Sequence, residues 1–110
     1  MSSVSTTSMF VRWHKLALTE LDEILDQAKE RDPQEATNIE KAVERSLNAL
    51  VTFPKTGRYL RGRGLYEKYV PRTRIKFIYE FTPEHIRIVA TFHTSRDPKT
   101  KPFERRHDAL

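Results

Sequence analysis

The stretch IKFIYEFTPEHIRIVATFH, residues 75–93, decides the fold. Ile75, Phe77, Tyr79 and Phe81 alternate with Lys76, Ile78 and Glu80, the period of a strand with one apolar face. Thr82-Pro83-Glu84-His85 supplies turn residues. Ile86, Ile88, Ala90 and Phe92 then alternate with Arg87, Val89, Thr91 and His93. The two runs predict an antiparallel hairpin with a buried face and a second, more polar one. Strand parity sets Lys76, Arg87 and His93 together on the polar face.

The partners for the buried face lie upstream. Ala17, Leu21, Ile24, Leu25 and Ala28 fall at helical spacing and form one apolar stripe. Glu20, Asp22, Glu23 and Asp26 lie off that stripe and read as a solvated face, placed early in the helix where the macrodipole favours them. Asp32-Pro33-Gln34-Glu35 is a break and restart: a capping Asp, a Pro suited to the first helical position, and Glu35 three residues after the cap. The second stripe, Ala36, Ile39, Val43, Leu47 and Leu50, runs to about Val51. A connection this short predicts an antiparallel helical hairpin.

Met9–Trp13 is short and β-prone and predicts a first strand, with Trp13 in the core. Leu65–Val70 predicts another, stopped by Pro71. Between them, Gly57, Gly62 and Gly64 predict a mobile, cationic loop over Thr52–Gly64. The order is β-α-α-β-β-β, an α+β two-layer fold with a helical hairpin on one face of a mainly antiparallel sheet. One domain is expected over residues 9–98, after a disordered leader over 1–8 and before a flexible basic tail over 99–110.

Length and composition agree with a single domain: 110 residues, 37% hydrophobic, mean hydropathy −0.68. No run approaches the ~20 apolar residues of a membrane span. Met1–Ser8 has no apolar secretory core, so a cytoplasmic location is expected. The absence of cysteine excludes disulfides, thiol catalysis and zinc ribbons. His14, His85 and His107 have no ligand spacing, and no metal or cofactor is expected.

Charge is unevenly placed. Residues 1–52 carry six basic and nine acidic side chains, and residues 53–110 carry fourteen and six. Between Lys55 and Lys76, eight cations face only Glu67, which reads as a local ion-pair partner. So one-sided a field suits an acidic protein or a polyanion. Tyr59, Tyr66 and Tyr69 interleave with the cations, a composition suited to docking. Gly62-Arg63-Gly64 is too short for a phosphate-cradling loop.

Several features together carry a resemblance to a known family. They are Trp13…Ala17…Leu21-Asp22-Glu23-Ile24, Leu50…Phe53-Pro54…Gly57-Arg58, Gly64-Leu65-Tyr66-Glu67…Val70-Pro71, Phe77-Ile78-Tyr79 and Phe92-His93-Thr94-Ser95-Arg96-Asp97. In this order they resemble the RelE/ParE superfamily of toxins from type II toxin–antitoxin systems. The long helical hairpin and the Phe-Pro…Gly-Arg loop look more like the ParE branch.

The resemblance implies a growth-inhibiting toxin neutralised by a cognate antitoxin, with no membrane and no small-molecule substrate. ParE-like members inhibit DNA gyrase and trap its cleaved DNA complex. The implied docking residues, for target or antitoxin, are Arg58, Tyr59, Arg61, Arg63, Lys68, Arg72 and Arg74. RelE-like members instead cut mRNA on the ribosome, using the ribose 2′-hydroxyl and no metal. For that alternative the candidate catalytic set is His93 as acid or base with Lys76 and Arg96 clamping phosphate. Lys76 and Arg96 stand at or near positions where RelE-like toxins carry functional arginines. Against that set, Phe103 lacks the hydroxyl of the C-terminal tyrosine found in several such nucleases.

Overall fold

A computed structural model describes residues 10–94 of the chain. The leader expected over 1–8 and the tail expected over 99–110 lie outside the described residues. The order is β1 (Phe10–Trp13), α1 (Lys15–Arg31), α2 (Pro33–Thr52), a 3₁₀ turn (Pro54–Thr56), β2 (Arg58–Leu60), β3 (Leu65–Tyr69), β4 (Ile75–Phe81) and β5 (His85–His93). No helix among the described residues is long and apolar enough to cross a membrane.

Both helices start on a side-chain cap. His14 Nδ1 accepts from the Leu16 N–H at 3.1 Å, a start signal outside the usual Ser, Thr, Asp and Asn set. Asp32 serves two helices. Its N–H closes α1 on the Ala28 carbonyl at 2.8 Å, and its carboxylate accepts from the Gln34 N–H at 3.0 Å to open α2. With a single residue between them, the helices pack antiparallel. Ala17, Leu21, Ile24 and Ala28 of α1, with Ala36, Val43 and Leu50 of α2, are buried as the two stripes require.

One five-stranded sheet completes the α+β two-layer fold, in the order β1-β5-β4-β3-β2. β1 runs parallel to β5, and the other neighbours are antiparallel. The main core lies between helices and sheet, where Leu21, Ile24 and Leu50 meet Phe77, Tyr79, Ile86 and Ile88. Trp13 joins it, edge-on to Phe77 with ring centroids 5.6 Å apart. Each such side chain taken fully out of water contributes roughly 1.5–3 kcal/mol.

Two expectations need correction. Thr52–Gly64 is not one mobile loop: Arg58–Leu60 is a fifth strand, paired Arg58 with Glu67 and Leu60 with Leu65. Three residues are too few for an alternation signal. Gly62 (φ 79°) and Gly64 (φ 68°) turn the chain back in left-handed conformations that favour glycine.

The second correction concerns the faces of β5. The register with β4 slips between Ile78 and Tyr79, because Ile78 faces Ala90 and Tyr79 faces Ile88. Val89 is the extra residue of a β-bulge. Ile86 and Ile88 face the helices as expected, whereas Ala90 and Phe92 turn to the other side. There they join Leu65, Ile78 and Val89 in a second apolar cluster. The face expected to be polar therefore has an apolar centre.

Candidate functional site

The bulge decides what Lys76 and His93 can do. Lys76 faces Phe92, and His93 faces Ile75, so the two lie on opposite sides of the sheet. Thr91, facing Phe77, turns towards α1: its hydroxyl donates to the Ala17 carbonyl at 3.0 Å and its N–H donates to Glu20 Oε1 at 3.0 Å. β1 ends opposite Ile88, and Glu20 takes a backbone donor beyond that end. Glu20 therefore does not belong to the solvated helix face.

On the outer face the cations are partly neutralised from within. Glu67 is only 8% exposed and sits between two of them. Lys76 Nζ meets one carboxylate oxygen at 2.9 Å. Arg58 meets the other through Nη2 at 2.9 Å and Nε at 3.1 Å. Burial pushes the Glu67 pKa up, but hydrogen bonds from Lys76 and Arg58 and their charges outweigh it, and the net shift is downward. The Lys76 ammonium also lies 5.4 Å from the Phe92 ring centre and 5.7 Å from that of Tyr69. Lys76 is thus a held cation, whereas Arg58, 73% exposed, still presents an edge to solvent.

The remaining docking candidates divide between the two ends of β3. At one end, Arg61 and Arg63 are exposed in the β2–β3 turn beside Arg58. Tyr59 is half exposed there and packs on Tyr66 with ring centroids 5.1 Å apart. At the other end, Arg72 and Arg74 are exposed in the β3–β4 turn, and Lys68 is half-buried near the end of β3. The cationic segment Lys55–Lys76 is therefore two clusters with a neutralised pair between them, not one continuous flank. Arg96 lies outside the described residues. Among the described residues no three His, Asp or Glu side chains converge to hold a metal ion.

A buried tyrosine fixes the first cluster. Tyr79 donates its hydroxyl proton to the Pro54 carbonyl at 2.6 Å and accepts from the Gly57 N–H at 3.0 Å. Burial raises the Tyr79 pKa, the Gly57 bond opposes that shift, and neighbouring Tyr66 adds to it, so the phenol stays protonated at neutral pH. Tyr66 stacks on Tyr79 at 5.5 Å and tilts against Phe81 at 5.2 Å, which ties the strand behind Tyr59 into the core. Neither this anchor nor the Glu67 pairing was foreseeable in detail from alternation; a lone Glu among cations was the visible sign of the second.

Comparison with known proteins agrees with this architecture. The family described as ParE toxin of type II toxin–antitoxin system, parDE, matches residues 11–98. Among solved structures, a chain from a chromosomal ParDE toxin–antitoxin system of P. aeruginosa superposes with a TM-score of 0.65 at 19% identity. The match covers 77% of this chain and 95% of that one. None of the curated proteins matches.

Proposed function

Since this chain belongs to the ParE toxin family of type II toxin–antitoxin systems, we propose that it arrests growth in the cytoplasm by docking on DNA gyrase. A toxin of this kind pairs with a cognate antitoxin. The observation that carries the gyrase reading is the parting of Lys76 from His93. Metal-free RNA cleavage needs a base, an acid and fixed positive charge around one phosphate. Here the sheet stands between imidazole and ammonium, and the ammonium is already held by Glu67. Inhibition by docking asks only for an exposed surface. The β2–β3 hairpin offers one, with Arg58 and Tyr59 on β2 and Arg61 and Arg63 in its turn, next to the Pro54–Gly57 segment that Tyr79 holds.

The test is a supercoiling assay with purified chain, gyrase and relaxed plasmid. The expected result is loss of supercoiling and accumulation of linear DNA after detergent and protease treatment, with mRNA intact. Undiminished supercoiling together with primer-extension stops inside translated codons would overturn the reading in favour of ribosome-dependent cleavage.

A further inference from the structure

The second apolar cluster, on the side of the sheet turned away from the helices, is dry. Leu65, Val89 and Ala90 are 0% exposed, Ile78 1% and Phe92 5%. Yet no described element lies over it. Both helices pack on the opposite face, and among the described residues only Leu60 flanks the cluster. An antiparallel sheet with one open face leaves the side chains there partly in water and makes them polar. A cluster this dry within a single chain is covered by that chain, not by a second copy or a partner protein.

Two stretches lie outside the described residues, and they differ in place and chemistry. Residues 1–9 enter at Phe10, on the edge strand, opposite His85 at the start of β5. Six of those nine are Ser or Thr, and none is aromatic. Residues 95–110 follow Thr94, two positions beyond Phe92 of the cluster itself. They include Pro98, Pro102 and Phe103.

The face sets what a covering segment needs. Strand hydrogen bonds lie in the plane of the sheet, so a segment crossing the face finds no backbone partners and turns its own N–H groups to water. Pro98 and Pro102 remove two of those donors. The ions around the cluster are already paired: Glu67 with Lys76 and Arg58, and Glu80 with Arg87 at 3.3 Å. The cover therefore needs an apolar centre, which Pro102-Phe103 supplies. The reach is ample. Leu65, the far corner of the cluster, is two strands over and about six residues along from Thr94, roughly 20 Å. Nine extended residues span up to about 30 Å.

We infer that residues 95–103 fold back across the outer face of the sheet and seat the Phe103 ring on Leu65, Ile78 and Val89, making a third layer. This replaces the flexible tail expected from composition. It depends neither on gyrase being the target nor on any antitoxin contact.

The experiment uses the full chain with ¹³C-labelled Ile, Leu and Val methyl groups and protonated Phe in a deuterated background. NOEs are expected from the Phe103 ring to methyl groups of Leu65, Ile78 and Val89. They should persist on dilution and vanish from the isotope-filtered spectrum of mixed labelled and unlabelled chains, as an intramolecular contact requires. Phe103→Ser should remove them, move the same methyl signals as the ring current is lost, and raise the fluorescence of added ANS at least about threefold. Phe103→Leu, which keeps an apolar side chain, should hold the ANS signal near wild type, and Val4→Ser should change none of these readings. The wild-type NOEs decide even where Phe103→Ser fails to fold. No NOE from Phe103 to the cluster, NOEs from Val4 or Met9 in its place, contacts seen only between differently labelled chains, or a folded Phe103→Ser with unchanged methyl shifts and ANS signal would each overturn the inference.

Discussion

Gly57 and Tyr79 are packed so closely that a Cβ on residue 57 would lie 2.5 Å from the tyrosine oxygen and 2.7 Å from the Glu67 carbonyl. The glycine is required by this approach and not by its dihedrals, since φ is an ordinary −75°. Gly57→Ala must therefore push β2 away from β3 or break the Tyr79 bonds, and should cost about 2 kcal/mol or more. Tyr79→Phe removes the two hydrogen bonds without a clash and should cost about 1–2 kcal/mol. Urea unfolding measures both. Faster amide exchange confined to residues 54–63 in Tyr79→Phe would show that the hydroxyl holds the loop; unchanged exchange would mean the loop is held by other contacts.

Glu67 makes stability depend on pH with a definite sign. Its folded pKa lies below that of the unfolded chain, so its contribution is complete above the unfolded carboxylate value of ~4.3 and is lost as pH falls through the lowered folded value. Glu67→Gln should lose about 1–3 kcal/mol at pH 7, less than a fully buried triad would, because Arg58 is largely solvated. The difference in urea midpoint between wild type and variant should shrink on acidification into the range below pH 4. A gap that persists undiminished at the acid end would mean that shape and not charge holds this position.

The Glu20 contact across to β5 predicts another loss away from any binding surface. Glu20→Ala strips the acceptor from the Thr91 N–H, a part-buried backbone donor. The expected cost is about 1–2 kcal/mol. Glu23→Ala, one of the exposed carboxylates of the same helix, should change stability by less than about 0.5 kcal/mol. Equal effects of the two would show that water replaces the Glu20 carboxylate at no cost.

Legibility from sequence followed the length of each periodic signal. The helices were readable because stripes of about four turns repeat the same information, and Asp32-Pro33 marks the boundary on both sides. Alternation set Ile75, Phe77, Tyr79 and Phe81 correctly on the helix side. In β5 it held through Ile88 and then failed, because one inserted residue reverses every later side chain and Val89 is as apolar as its neighbours. That reversal separated His93 from Lys76. β2, with three residues of which one is Arg and one Tyr, carried no period at all. The cationic segment was visible as composition, but composition does not say that a five-residue strand would part its two turns.

The β2–β3 turn gives the most direct functional prediction. Arg61 and Arg63 are exposed in a turn shaped by Gly62 and Gly64, so reversing their charge leaves the positive-φ positions intact. Arg61→Glu with Arg63→Glu should leave the free energy of urea unfolding within about 0.5 kcal/mol of wild type. If the turn docks on an acidic surface, the same variant should inhibit supercoiling at least about tenfold less, a loss of ~1.4 kcal/mol or more in binding. Raising salt should weaken the wild type towards the variant, since exposed charges are screened over a Debye length of about 10 Å at 0.1 M. Full inhibition by a folded charge-reversed variant would remove this turn from the target interface and move the search to the opposite end of β3, around Arg72 and Arg74.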